Sequence, residues 1–193
     1  VPGSVHGLKY EDVDANGRYD PDIDERLPGV TVLLEGEGAT RETVTMTDEP
    51  ETAVNEAGWF SFGGLRPGDY TLRENVPEGY GASTPAERVV TVRSGDELVA
   101  VEGQAGLHAN ARQTEIVMGS ELMFGNYEAG SILGFKFGDS DGDGLRDDEE
   151  PGLGGVRMRL VWTDASGEEQ SRNVTTDESG EFHFAGLRPG WTY

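Results

Sequence analysis

Residues 3–20 read GSVHGLKYEDVDANGRYD and residues 130–147 read GSILGFKFGDSDGDGLRD, and the two stretches align without a gap. The correspondence continues downstream. After a slip of one residue, LPGVTVLLE from Leu27 matches LGGVRMRLV from Leu153, and NEAGWFSFGGLRPG from Asn55 matches DESGEFHFAGLRPG from Asp177. Three blocks in one order, each series closing on LRPG, make the chain a tandem repeat. A short linker near residues 128–130 separates a first domain, residues 1–128, from a second, residues 129–193. The second copy stops at Tyr193, while the first runs on through further strand-like segments. The second domain is therefore expected to be an incomplete copy of the first.

Within each copy, apolar and polar residues alternate with the period of two that a half-buried strand requires. Strands are expected near residues 4–10, 30–35, 41–47, 59–62, 70–74, 87–93, 97–101, 114–118 and 122–127. The second copy offers 131–137, 156–162, 170–176 and 181–184. Turn pairs fall between them: Asn16-Gly17, Pro67-Gly68, Ser94-Gly95, Ser166-Gly167 and Pro189-Gly190. Only residues 104–113 carry a helical pattern. The fold class is all-β, two tandem Ig-like sandwiches in series.

Composition narrows the setting. The 193 residues carry a net charge of −22, from 37 acidic and 15 basic side chains. Such a field repels nucleic acid and anionic membranes. The longest apolar runs, such as VTVLL at residues 30–34, suit strands and are too short to span a bilayer. No leader is visible, so any export signal is expected to have been removed or to lie outside this segment. There is no cysteine, which removes disulfides, thiolate metal sites and thiol nucleophiles together. The acid is clustered: residues 11–25 hold seven carboxylates and residues 138–150 hold seven more. Clustering of that kind asks for a local cause, most simply a cation.

In the second copy Asp139, Asp141, Asp143, Gly144, Asp147 and Glu150 stand at relative positions 1, 3, 5, 6, 9 and 12. Calcium takes six to eight hard oxygens, and this spacing wraps a short loop around one ion, with a main-chain carbonyl at position 7. That carbonyl belongs to Leu145. The first copy offers Asp12, Asp14, Asn16, Gly17, Arg18 (by its carbonyl) and Asp20 at the same places. Its twelfth position is Ile23, which cannot ligate, and the one-residue slip brings Asp24 opposite Glu150 instead. Strand-like segments enter both loops, and Pro151-Gly152 blocks an exiting helix, so neither loop belongs to a helix-loop-helix hand. An acidic hairpin without an ion is the plainer alternative. Two copies in register, each followed by further carboxylates, favour calcium.

The runs GLKYEDVDANGRYDPD and GFKFGDSDGDGLRDDEEPGLGGV, the pattern G-x-F-x-F-x-G-L-R-P-G, and YTLRENVPEGY together resemble the SdrD B-like and collagen-adhesin B-type domains of microbial surface proteins. The resemblance covers essentially the whole chain. It implies a prealbumin-like sandwich, calcium in the aspartate loops, a secreted or cell-surface location and tandem use as a stalk. Its partners would be neighbouring repeats or identical subunits. Many such domains form a lysine–asparagine amide assisted by an acidic residue, and the matching positions are Lys9, Glu74 and Asn126, with Lys136 equivalent to Lys9. Alternation puts Tyr70, Leu72 and Glu74 on one strand face and Leu122, Phe124 and Asn126 on another. Lys9 is less decided, because Leu8 and Tyr10 point the other way. In such a trio the acid would polarise the Asn126 amide carbonyl as ammonia leaves. Two departures stand out: Ile23 interrupts the first loop, and residues 102–121 are long for the place they occupy.

Nothing in the sequence assembles a catalytic set. His6, His108 and His183 share no spacing with each other or with the acidic loops, and no G-x-S-x-G elbow is present. Trp59, Trp162 and Trp191 are assigned to cores or their edges. Asn173-Val174-Thr175 is a glycosylation sequon by pattern alone. The leading reading is a calcium-stabilised structural stalk or filament module and not an enzyme. The alternatives are an adhesive module binding an extracellular ligand, and an accessory domain of a secreted enzyme.

Overall fold

The computed structural model describes residues 1–52, 54–100 and 122–193. The expected helix at 104–113, the strand at 114–118 and the long 102–121 stretch lie outside the described residues. The chain divides into two compact units, Val1–Glu128 and Ala129–Tyr193. Both are all-β, and no helix among the described residues is long and apolar enough to cross a membrane.

The first unit is organised around β1 (Gly3–Glu11), which has neighbours on both edges along its length. On one edge β5 (Trp59–Leu65) runs antiparallel from Gly3↔Leu65 to Leu8↔Trp59, followed by β2 (Glu25–Arg26) at Tyr10↔Arg26. The other edge takes β9 (Glu97–Val99) and then β10 (Met123–Glu128), both parallel, and β7 (Tyr80–Ala82) pairs beyond β10. The second sheet has the order β4 (Ala39–Val44), β3 (Thr31–Gly36), β6 (Gly68–Glu74), β8 (Glu87–Val92). Inward rows interdigitate between the sheets: Val5, Phe60, Phe62 and Phe124 from one, Val32, Leu34, Tyr70, Leu72, Val90 and Val92 from the other. This is the layer arrangement that alternation dictates, since every second side chain of a strand points the same way.

Two strands escaped the sequence. β2 has only two residues, both charged, and β7 only three, one of them a glycine, so neither is long enough to alternate. β4 starts earlier than the residues 41–47 expected. Gly36 pairs with Ala39, which leaves Glu37-Gly38 as a two-residue hairpin loop with positive φ at both positions, 52° and 75°. That is the turn whose twist suits a tight hairpin, although Asn or Asp is its usual first residue.

The second unit pairs β11 (Gly130–Phe135) with β14 (Glu181–Leu187), and β12 (Arg157–Thr163) with β13 (Glu169–Thr175). The ladder of β11 and β14 repeats that of β1 and β5 residue for residue, from Gly130↔Leu187 to Phe135↔Glu181, with the same irregularity after its first pair. A glycine opens β5 and β14 in both. Gly58 has φ 76° and Gly180 φ 89°, and a Cβ there would lie 2.3 Å from the Lys9 carbonyl oxygen or 2.2 Å from that of Lys136. No other residue fits so close to the neighbouring backbone.

Candidate metal loops and a buried lysine–glutamate–asparagine cluster

One aspartate loop follows β1 and the other follows β11, and each is tied at its base. In the first unit the pairing of Tyr10 with Arg26 and Glu11 with Glu25 closes it. In the second a single bridge between Phe137 and Gly152 does so. Inside the loops, side-chain oxygens accept successive main-chain N–H groups. Asp12 Oδ2 accepts from Gly17 N at 2.7 Å, and Asp139 Oδ2 from Gly144 N at 3.1 Å. Asp14 accepts from Asn16 N and Asn16 from Arg18 N, just as Asp141 accepts from Asp143 N and Asp143 from Leu145 N.

The closing carboxylate shows the same equivalence. Glu150 accepts from Ser140 N through Oε1 and from Asp147 N through Oε2. In the first loop Asp24 holds those two places, accepting from Val13 N at 3.0 Å and Asp20 N at 2.8 Å. Ile23 is half exposed and takes no part. Carboxylate oxygens of Asp12, Asp14 and Asp24 lie within 4.8 Å of one another, as do those of Asp139, Asp141 and Asp143. Asp20 stands apart from the first trio, its Oδ1 accepting from Asp22 N, and Asp147 and Glu150 stand apart from the second. Asp12 and Asp24 are buried, whereas the second trio is exposed. Burial, reinforced by the charges of Asp12 and Asp14, pushes the Asp24 carboxyl above its ordinary range. Crowded hard oxygens of one sign are a donor set suited to a divalent cation that prefers oxygen.

The second feature is inside the sandwich. β1 and β10 run parallel with Lys9 opposite Phe124 and Glu11 opposite Asn126, so Lys9 and Asn126 are diagonal neighbours. Glu74 ends the inward row of β6 in the facing sheet. Lys9 and Asn126 are fully buried and Glu74 is 4 % exposed. Lys9 Nζ lies 3.3 Å from Glu74 Oε2 and donates to the carbonyls of Phe124 (2.9 Å) and Tyr10 (3.1 Å). Asn126 Nδ2 donates to Glu74 Oε1 at 3.0 Å, while Asn126 Oδ1 is buried without a hydrogen-bond partner. Burial draws the Lys9 ammonium down to about 8, against the opposing pull of Glu74, and pushes the Glu74 carboxyl up. Both shifts favour the neutral pair, an amine and a carboxylic acid. The carboxyl faces the nitrogen of the amide and not its oxygen, so it does not sit where the expected polarisation of the Asn126 carbonyl would need it.

Lysine usage was a signal the strand pattern did not convey. Of 15 basic residues only Lys9 and Lys136 are lysines, and they occupy the same place in the repeat. Arginine serves every other cationic position, and arginine cannot deprotonate to a nucleophile. Lys136 is exposed in the second unit.

Among the described residues, the other polar groups named from the sequence are not brought into a reactive set. Ser4 Oγ (3.0 Å) and Glu97 Oε1 (3.7 Å) both approach the same nitrogen of His6, Nε2, which is not the relay geometry of a triad. His183 is exposed on β14, and His108 lies outside the described residues. Trp59 packs against the first core and Trp162 against the second, and Trp191 lies under the Arg188 guanidinium.

Residues 130–193 match the family model of the SdrD B-like domain, and residues 17–105 match that of a prealbumin-like fold domain. Among curated proteins, serine-aspartate repeat-containing protein F of Staphylococcus epidermidis is 30% identical over 192 residues, covering 97% of this chain and 10% of that protein. Serine-aspartate repeat-containing protein D of Staphylococcus aureus is 28% identical over 186 residues, covering 94% of this chain and 12% of its own length. The chain thus spans about a tenth of these relatives. Among solved structures, the Bacillus anthracis TIE protein superposes with TM-score 0.42 at 18% identity, over 95% of this chain and 26% of that one.

Proposed function

We propose, from a chain whose SdrD B-like domain follows a prealbumin-like one, that this is a structural module of a secreted or cell-surface protein, held together by calcium in both aspartate loops and by a Lys9–Asn126 amide in the first unit. The observation that carries the reading is the buried trio of Lys9, Glu74 and Asn126. A fully buried lysine beside a buried carboxylate is a costly way to stabilise a core, since apolar residues of the same volume serve as well or better. Chemistry is the better reason for it. Lys9 passes its proton to Glu74, and the neutral amine attacks Cγ of Asn126. The new C–N bond forms as the Asn126 Cγ–Nδ2 bond breaks; the proton held by Glu74 leaves with the nitrogen as ammonia, and the carboxylate so formed takes the surplus proton from the Lys9 nitrogen, 3.3 Å away before reaction. By analogy with a disulfide that closes a loop of similar length, the link stabilises by up to about 5 kcal/mol. A cysteine-free stalk has need of such a staple.

In this reading the loops are structural and not sensory. Asp12, Asp14 and Asp24, and Asp139, Asp141 and Asp143, are the carboxylates that would hold the ion, which supplies the positive charge their crowding lacks. Asp12 N donates to the Asn126 carbonyl at 2.6 Å, so the first loop is anchored on the strand that carries the amide. No catalytic turnover on an external substrate is part of this function. Intact-mass spectrometry tests the central claim: folded wild-type chain is lighter by one ammonia, and Glu74→Gln restores the full mass. An unmodified mass in folded wild-type protein would sink it.

A further inference from the structure

Arg88 is a cation on the inward row of β8, where its row-mates are Val90 and Val92. It stands opposite Leu72 on β6, beside the end of the row that carries Glu74. Its guanidinium lies over the Phe124 ring, 5.3 Å from the centroid, and its Nη2 donates to the Met123 carbonyl at 3.2 Å. Both contacts fall on β10, in the other sheet, within three residues of Asn126. The Phe124 carbonyl in turn accepts from Lys9 Nζ. One side chain from the second sheet therefore grips the strand that carries the amide, one peptide before the carbonyl that holds the amine.

Resting on the amide-forming reading above, we propose that Arg88 is a positioning residue for that reaction, clamping β10 so that the Asn126 carboxamide meets Lys9 and Glu74. An arginine is suited to this. Its planar fork stacks on a ring and donates to a carbonyl at once, and it keeps its charge beside a lysine that must lose its own. Gly125, the residue just before Asn126, is fixed separately. Gly125 N donates to Thr84 Oγ1 at 3.0 Å and Ser83 N donates to the Gly125 carbonyl at 2.9 Å. Held by Arg88 at Met123 and Phe124 and by Thr84 and Ser83 at Gly125, β10 has little freedom to slide. The Arg88 charge also bears on Glu74, opposing the burial that raises that carboxyl. The ionisable groups acting on Glu74 are Lys9 and Tyr10 of β1 and Arg88 of β8. β3 presents Val32 there and β10 the neutral Asn126.

The test follows the rate of ammonia loss by intact mass after a short pulse of synthesis, for wild type, Glu74→Gln, Arg88→Met and Arg88→Lys. Wild type sets the reference: if it never loses ammonia, the amide reading fails and this inference with it. If it does, Arg88→Met is expected to close about 100-fold more slowly, the scale of a misplacement of about 1 Å. Its rate profile should also shift to higher pH on the limb set by Glu74, because a facing positive charge is gone. Arg88→Lys, which keeps stem and charge, should close faster than Arg88→Met and keep the wild-type pH limb. A purely structural loss would scale the profile without moving it, and that result overturns the assignment. So does wild-type closure in folded Arg88→Met. Should Arg88→Met fail to fold, Arg88→Lys decides alone, with an unchanged rate counting against the clamp.

Discussion

Thr45 and Thr176 hold the same corner in the two units. Thr45 Oγ1 accepts from Val30 N and donates to the Leu27 carbonyl, both at 2.9 Å, and Thr176 does the same for Val156 N and Leu153. Met46 then pairs with Trp59, so the segment leaves one sheet and joins the other at this threonine. Thr45→Val keeps the shape and strips both bonds from buried main-chain groups. It should cost about 2 kcal/mol in urea unfolding, where an exposed threonine such as Thr40 should cost almost nothing. A second residue fixes a turn by charge. Asp164 accepts from the Ser166 hydroxyl and amide, from Glu168 N and from the Gln170 side chain. Those bonds, the Ser166 hydroxyl foremost, lower its carboxyl to about 2. A depressed value means the carboxylate contributes stability above its free value of about 4, and loses it as pH falls through about 2. Carboxyl chemical shifts should therefore titrate with a midpoint near 2. The melting difference between wild type and Asp164→Ala should be constant near neutral pH and vanish in strong acid. A midpoint near 4 would show the turn bonds to be dispensable. At this scale the sequence was legible where parity decides, as for Glu74 and Asn126. It was mute on Lys9, because both faces of β1 are buried, Val5, Gly7 and Lys9 on one side, Leu8 and Tyr10 on the other.

Elements explain why the two loops look different in sequence and alike in space. A loop pattern read by counting fails at Ile23, yet Asp24 occupies the position of Glu150 by both of its hydrogen bonds. The slip that moves the acid by one residue is taken up before Leu27, where Leu27 N still reaches the Lys9 carbonyl as Leu153 N reaches that of Lys136. A shorter Asp in place of Glu is compatible with this, because Asp24 is buried against the loop it closes. Two substitutions separate position from pattern. Asp24→Ala should weaken calcium binding at the first loop on the order of 10- to 100-fold by calorimetry, the worth of a lost charged contact. Ile23→Glu, which completes the twelve-residue pattern on paper, should leave binding unchanged because its side chain points away. Tighter binding in Ile23→Glu with none lost in Asp24→Ala would reverse the assignment. The strands were legible for the same reason that the ligands were half so. Alternation is strong in β3, β6 and β8, which bury one face, and absent in β2 and β7, whose few residues serve mainly to close a loop or extend an edge.

Across the whole molecule, the two units differ in what holds them. The first has a core that runs from Val5 through Phe60 and Leu72 to Phe124, together with the buried trio of Lys9, Glu74 and Asn126, which on the proposed reading would be covalently linked. The second, among its described hydrophobic side chains, buries only Leu160, Phe184 and Leu187, with Met158, Trp162, Val174, Phe182 and Tyr193 partly covering them. A small core leaves a larger share of stability to other terms. An ion bound only by the folded state contributes about 2.7 kcal/mol at a hundredfold excess over its dissociation constant. In a domain of roughly 60–100 residues each kcal/mol moves the melting temperature by about 4–8 °C, so losing the ion should cost the second unit on the order of 10–20 °C. The first unit is larger, which dilutes the same free energy over more unfolding entropy, and its amide would survive removal of the metal. Scanning calorimetry of the intact chain should therefore show two transitions in calcium, with a chelator lowering the second unit's far more and calcium restoring it. Asp141→Ala should reproduce the chelator's effect on that transition while leaving the first unit's in place. Equal displacement of both transitions would mean that the cores, small and large, depend on the ion alike; no displacement would remove calcium from the account of either loop.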